Sequence, residues 1–311
     1  MGMDGYHRVM KAMLVDVAND FELDRHLMDQ RRTSDKWRTR RARSPDKGKE
    51  VAPKSAGLAA STVLPPLDGQ GSAEECQPRK AEPPVEVVDI AEIPGGGLLH
   101  LLKCGEDFSI QFGSDELMGS RNHVSEQALA TLTCQRLARN DGHVLVGGLG
   151  MGFTLGAVLA SWAPTSSVVV AELVPRIVTW AQGHLAHLFG TNLSDPRVSL
   201  QLADVHDVIS EKANRFDAIL LDVDNGPDGF MTPANDRLYC DWGLRSAYAA
   251  LRPKGVLAIW SAYSDPEFVE RLEKAGFAVE ETKLPASADC ADDWHSIWLA
   301  SKPGAEVAAA F

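Results

Sequence analysis

Cysteine is sparse in this 311-residue chain and follows no pattern. The five, Cys76, Cys104, Cys134, Cys240 and Cys290, are odd in number, far apart and free of C-x-x-C spacing. That excludes a disulfide framework, gives no zinc signature and sets the expectation of a reducing, cytoplasmic protein. Histidine is no better organised. His123, His206 and His295 share no i, i+4 pairing, so no metal is expected and all three read as structural. Long apolar runs are missing too: the stretches 168–171 and 218–221 fall far short of the roughly 18 residues a membrane span needs. No membrane segment is expected, and residues 13–15 lie among charges rather than in the apolar core of a signal peptide. Tyr6 stands where myristoylation would want Ser or Thr.

Positive charge is also in deficit. The chain carries 31 Lys and Arg against 43 Asp and Glu, a net charge of -12. Residues 1–85 hold 15 basic and 13 acidic side chains, so the remainder alone is net -14. An acidic surface argues against nucleic acid as the partner and is compatible with a cationic or amine substrate.

Hydrophobic content, at 44%, is that of a globular protein. It is unevenly placed. Residues 31–50 contain nine basic and three acidic side chains with almost nothing to bury, and 51–84 turn to Pro, Ala, Gly and Ser. Such a segment cannot offset its ordering entropy, so residues 1–84 are expected to be a disordered basic tail and linker. Order is expected from Val85, in a small N-terminal β-element over 85–125. Within it two apolar runs flank Pro94-Gly95-Gly96-Gly97 as a hairpin would, and a third short strand spans 108–112. A helix follows through Leu129, Leu132 and Leu137, stopping at Asn140-Asp141-Gly142.

From 126 to 311 strands alternate with helices. Strands are predicted at 143–146, 167–171, 198–202, 217–221, 256–260, 277–283 and 296–300. Helices are predicted at 154–161, 175–188, 205–212, 237–251 and 266–274. Near-continuous apolar strands separated by helices indicate an α/β, doubly wound, mostly parallel seven-stranded sheet covered on both faces. The last two strands are expected as an antiparallel pair at one edge.

The chemistry gathers at the strand tips. Strand 143–146 runs straight into Gly147-Gly148-Leu149-Gly150-Met151-Gly152 and then a helix. Missing Cβ atoms at Gly148, Gly150 and Gly152 let a ligand approach backbone, and a helix N-terminus offers free N–H groups. The dinucleotide fingerprint would need glycine at position 153, which is Phe, so the turn favours an adenosyl nucleoside over NAD. Glu172 ends the next strand, 25 residues after Gly147, where a carboxylate can accept from both ribose hydroxyls. Asp204 ends the third strand and reads equally as an adenine contact or a helix N-cap. Asp222 ends the fourth and opens the polar loop Val223-Asp224-Asn225-Gly226-Pro227-Asp228, in which Asp222, Asp224 and Asn225 are the candidate reacting groups.

These residues, with Ser125-Glu126, Asp195-Pro196-Arg197-Val198, Ala203-Asp204 and Leu251-Arg252-Pro253-Lys254-Gly255, resemble the spermidine synthase family. These are the polyamine aminopropyltransferases, and the likeness is closer to the bacterial spermidine synthase-like branch, over about residues 98–300. The resemblance implies a Rossmann-like methyltransferase fold, a co-substrate that is S-adenosylmethionine or its decarboxylated form, a small-molecule acceptor such as a polyamine, and a homodimer paired through 85–113. Two positions depart from the family. Its glycine turn looks like G-G-G-D-G, where this chain has Gly150 in place of the Asp. Its D-S-x-D-P segment places the proton-accepting Asp at Asn225, and an amide cannot act as a base. Asp224 or Asp228 can take that role only after a shift of the loop. Without a carboxylate at 150, a ligand keeping its own carboxylate fits better. Three readings follow: an aminopropyltransferase-like enzyme, an S-adenosylmethionine-dependent methyltransferase of a small molecule, and a nucleoside-binding protein without catalysis.

Overall fold

The computed structural model describes residues 83–227, 237–287 and 290–304; the expected tail and linker, save residues 83 and 84, lie outside them. Asp228 of the polar loop lies outside them too. The N-terminal β-element is a four-stranded antiparallel sheet, β1 (Val85–Glu92), β2 (Leu98–Cys104), β3 (Asp107–Phe112) and β4 (Asp115–Gly119), in the order β1-β2-β3-β4. Its fourth strand is an addition to the sequence reading. DELMG carries one short apolar pair between turn glycines, too little alternation to register as a strand, and it forms because β3 offers it an edge.

Helix α1 (Val124–Leu137) leads into the second sheet, built from β5 (His143–Gly147), β6 (Ser167–Glu172), β7 (Val198–Leu202), β8 (Phe216–Leu221), β9 (Leu251–Ser261), β10 (Ala278–Ser287) and β11 (Cys290–Ser301). Their order is β10-β11-β9-β8-β5-β6-β7. β5 through β9 pair in parallel, whereas β11 is antiparallel to both β9 and β10. The expected seven-stranded, doubly wound sheet with its reversed edge is what the chain forms.

Period-two alternation explains the continuous apolar strands. Val144, Val146, Ala218, Leu220, Val256 and Ala258 face one core, which also holds Leu129 of α1 and Leu155 of α2 (Phe153–Ser161). Trp180 of α3 (Pro175–Gln182) and Leu99, Leu101 and Ile110 of the small sheet belong to the same core. Leu145, Ile219, Leu221, Leu257 and Ile259 face the other, against Val208 of α5 (Val205–Ser210), Leu244 of α6 (Asp241–Ala250) and Phe268 of α7 (Pro266–Lys274). Each Val, Leu, Ile or Phe among them, once buried, contributes about 1.5–3 kcal/mol over leaving it exposed.

The predicted helix 175–188 is two pieces, α3 and the single turn α4 (Ala186–Phe189). The chain leaves helical geometry at Gly183, and the Leu185 N–H donates to the Trp180 carbonyl at 2.8 Å instead of continuing the ladder. The predicted helix 237–251 gives up its last residue to β9, because Leu251 pairs with Phe216. The small sheet is fastened to α3 by Asp89, which accepts from Trp180 Nε1 at 2.8 Å and pairs with Arg176 at 3.0 Å.

Asp217 sets the register at the other end of the sheet. Buried at the start of β8, it accepts from the His143 N–H at 2.8 Å, from Arg252 at 2.6 Å and from Arg139 at 3.4 Å. Replacement by Ala orphans the strand N–H, while both arginines can turn to water. Asp217→Ala should therefore cost about 2 kcal/mol, a fall of roughly 4–8 °C in Tm. Scanning calorimetry checks this; an unchanged midpoint would show that the carboxylate does not organise the β5–β8–β9 junction.

Candidate functional site

β5 pairs with β6 on one side and β8 on the other, so the chain reverses its winding there and a crevice opens at the C-terminal ends. The glycine turn lies in that crevice. Gly148 donates its N–H to Ala171 at 2.9 Å, has φ of 88°, and passes so near the Asp222 backbone that a Cβ would sit 2.2 Å from its carbonyl oxygen. Only glycine lets β5 and β8 feed their loops into one place. At Gly150 a Cβ would meet Met118 Sδ at 2.8 Å, and that sulfur accepts from the Met151 N–H at 3.1 Å. Met118, on β4, thus lies over the turn. Gly152 brings no side chain to cap α2.

Between the small sheet and the strand tips is a cleft of about 850 Å³, part of it open to solvent. Ile93, Leu99, Ile110 and Met118 form its apolar roof; Gly148, Gly150, Glu172, Asp204, Asp222 and Asp224 line its floor. Gly152 is not among its lining residues, its Cβ direction being filled by Phe189.

The floor carboxylates differ in what they already hold. Glu172 is buried, accepting from the Leu149 N–H at 2.8 Å on one oxygen and from the Val174 N–H at 2.8 Å on the other. Burial raises its pKa, and these backbone N–H groups pull the other way. It organises the glycine turn from within, and a carboxylate with about four acceptor positions can do so while meeting a ligand hydroxyl. Asp204 is the N-cap of α5: it accepts from the His206 N–H at 2.9 Å and pairs with Arg237 at 2.7 Å. Of the two roles open from the sequence, capping is the one its geometry displays.

Asp222 accepts from Thr154 Oγ1 at 2.6 Å. Its pKa is pushed up to about 7, first by burial and then by the Glu126 carboxyl nearby, with the Thr154 hydrogen bond acting in the opposite sense. Asp224 is buried behind it, accepting from the Gly226 N–H at 2.9 Å and the Tyr239 hydroxyl at 3.4 Å on the same oxygen. Burial, with Asp224 second, pushes the Tyr239 phenol well above its ordinary value. Asn225 is held by its backbone carbonyl, which accepts from the Ala262 N–H at 3.2 Å and from Ser261 at 3.3 Å, and it is not among the cleft-lining residues.

Sequence reasoning overlooked Met118, Thr154 and Tyr239, and took Glu126 only as a helix start. Thr154 was findable as the first hydroxyl after the glycine turn. The other three lie far from the strand tips in sequence, and only topology brings them in. Among the described residues no three His, Cys, Asp or Glu side chains converge as metal ligands would. None of the described helices is long and apolar enough to cross a membrane.

No family profile matches the chain. A polyamine aminopropyltransferase of Synechococcus sp. (strain JA-2-3B'a(2-13)) is 29% identical over 123 residues, covering 40% of this chain and 38% of that protein. The chain thus spans about two fifths of the length of this curated relative. A spermidine synthase solved in complex with the transition state analogue AdoDATO superposes with a TM-score of 0.57 at 18% identity, over 70% of this chain and 73% of that one. The spermidine synthase of Thermotoga maritima gives 0.56 at 17% identity, over 70% and 72%. The resemblance read from the sequence is borne out, and at this identity the solved structures establish the fold.

Two outcomes are expected. Glu172→Gln turns an N–H donor toward backbone donors and should cost about 1–3 kcal/mol in urea unfolding; unchanged stability would show that the carboxylate does not hold the turn. For Asp222, the folded protein keeps a proton up to about pH 7 that the unfolded chain loses near 3.8, so its favourable contribution, full below the lower value, is lost as pH rises through the upper one. Asp222→Asn should therefore gain stability over wild type by about 1 kcal/mol or more on going from about pH 5 to about pH 8. Paired thermal melts test it, and a pH-independent difference would contradict the raised proton affinity.

Proposed function

We propose that the chain is a spermidine synthase-like transferase that binds S-adenosylmethionine or its decarboxylated form, and that from the decarboxylated form it passes an aminopropyl group to a small amine, a polyamine. The observation that carries this is the cleft itself: a glycine turn and four acidic side chains under an apolar roof, at the switch point of the sheet. A sulfonium nucleoside and a protonated amine are both cationic, and an acidic floor attracts both. The spermidine synthase fold and the aminopropyltransferase relative support the same reading. The AdoDATO bound in one of those structures supports a related nucleoside ligand.

In this reading the adenosine crosses the tips of β5, β6 and β7, its ribose beside Glu172 and its sulfonium tail along Gly148 and Gly150. The neutral amine attacks the carbon next to sulfur. A C–N bond forms as the C–S bond breaks, and the electron pair stays on sulfur as a neutral thioether. The protein supplies orientation and one base, since the acceptor arrives as an ammonium ion and must lose a proton first. Asp222 is the base: its affinity for a proton near neutrality suits the exchange, Asn225 cannot accept one, and Asp224 is committed to Gly226 and Tyr239.

Methyl transfer is the second reading, favoured by one observation. Gly150 carries no carboxylate and is overlain by the Met118 thioether, so nothing there repels a donor that retains its own carboxylate. A homodimer joined through the small sheet is also proposed, because β1 is its edge strand and exposes Val85, Val87 and Ile90.

Calorimetric titration with S-adenosylmethionine, its decarboxylated form and methylthioadenosine, followed by product analysis with diamine acceptors, tests the proposal. Preference for the decarboxylated donor with release of methylthioadenosine is expected. Formation of S-adenosylhomocysteine would move the assignment to methyl transfer. Binding without turnover would leave a nucleoside-binding protein, and binding of none of the three would overturn the proposal.

A further inference from the structure

The last strand of the small sheet carries an irregularity. Ile110 pairs with Met118 and Gln111 with Glu116, so Leu117 has no partner on β3 and stands as a bulge in β4. Successive residues of a regular strand point to opposite faces, whereas a bulge re-aims a side chain. Leu117 and Met118, though consecutive, both line the cleft, together with Ile110. The bulge thus brings two apolar side chains down at one place, and Met118 is the one that reaches the glycine turn.

A Cβ on Gly150 would lie 2.8 Å from Met118 Sδ and 2.9 Å from its Cε, so the thioether occupies the space that a side chain at 150 would take. The same sulfur accepts from the Met151 N–H at 3.1 Å. Other N–H groups of the turn have oxygen acceptors: Gly148 donates to the Ala171 carbonyl at 2.9 Å, Leu149 to the Glu172 carboxylate at 2.8 Å and Gly152 to the Leu149 carbonyl at 2.8 Å. The Gly150 N–H acts on Glu172 as well. Met151 is the member of this run held by a thioether, which is a weak acceptor. Its N–H is the one that a stronger acceptor can claim, and the movement of Met118 that frees it also opens the space beside Gly150.

We infer that Met118 is the specificity-determining residue for the tail of the nucleoside: it fills the space beside Gly150 and holds the Met151 N–H that an α-carboxylate on that tail would take, and so selects nucleosides whose tail ends in an amine alone. The inference rests on the proposed placing of that tail along Gly148 and Gly150. A thioether carries no charge, so its action is not repulsion. A ligand that keeps its carboxylate must push the Met118 side chain aside, undoing its packing against the core, before the carboxylate can accept from Met151. An aminopropyl tail leaves the thioether and its hydrogen bond in place. Methionine is unbranched and flexible, so the discrimination is graded rather than absolute. Positions 150 and 118 act as one unit, the side chain missing from the glycine turn being supplied by the other sheet.

Calorimetric titration of the full chain with S-adenosylhomocysteine and decarboxylated S-adenosylhomocysteine reads this without turnover, because the two compounds differ only by the carboxylate. Wild type should bind the decarboxylated compound about tenfold more tightly. Met118→Ala opens the space and frees the N–H, and should shrink that ratio by about fivefold or more. Met118→Leu keeps the bulk without the acceptor and should retain most of the preference. Taking the ratio within each variant cancels any general change in affinity, and circular dichroism confirms that each is folded. Equal binding of the two compounds by wild type, a ratio that Met118→Ala leaves where it was, or a Met118→Leu protein as permissive as Met118→Ala would overturn the inference. Methylthioadenosine, which lacks the amine-bearing tail, separates this result from the proposed function. If wild type binds it and the ratio fails to respond, the role of Met118 alone falls; if wild type binds none of the three, the nucleoside reading falls and takes the inference with it.

Discussion

A buried carboxylate that accepts from backbone on both its oxygens is the constraint around which this molecule is arranged. Glu172 at the end of β6 takes the Leu149 N–H from the glycine turn and the Val174 N–H from the approach to α3. Burying a charge is costly unless hydrogen bonds replace water, and here the replacements come from two loops that must lie side by side for a cleft to exist. The turn is thereby fixed against β6 while Gly148 fixes it against the Asp222 loop of β8. Three strand tips are drawn to one point by one side chain and one missing side chain.

This arrangement shows why much of the architecture was legible in the sequence and part of the site was not. Buried parallel strands must be apolar on both faces, so β5, β6, β8 and β9 announce themselves, and the acids at their ends mark the ligand edge before any coordinates exist. Glu172, Asp204 and Asp222 line one cleft as that pattern implies. What a linear pattern omits is occupancy. Asp204 is taken up by the α5 N-terminus and Arg237, Asp224 by Gly226 and Tyr239, and neither commitment is visible without knowing that residues 237 and 239 return to the site. The same holds for Met118, whose short strand has too little periodicity to be read, and for His295, which is linked to Ser125 only because β11 runs antiparallel beside β9. Local signals define elements; the sheet order decides which side chains meet.

The acidic character of the folded part acquires a more specific meaning at the cleft. Five carboxyls stand in or behind its floor, yet they do not form a uniform negative field. Asp204 is paired with Arg237, Glu172 is held by backbone dipoles, and burial together with the nearby Glu126 raises the proton affinity of Asp222. The free negative charge is smaller than the residue count implies and is adjustable near neutrality. Under the proposed transfer, a site that admits a cation and releases a neutral thioether gains from a floor whose charge can follow the reaction.

The small antiparallel sheet bears differently on the protein. All of the roof that closes over the strand tips from β1 to β4 comes from one contiguous stretch of chain, latched to α3 by Asp89 and seated by a few aliphatic side chains. The floor, in contrast, is assembled from residues scattered over the second half. Mutational drift confined to one short segment can therefore reshape the upper wall without disturbing the scaffold beneath, so roof and floor are free to diversify on separate evolutionary clocks.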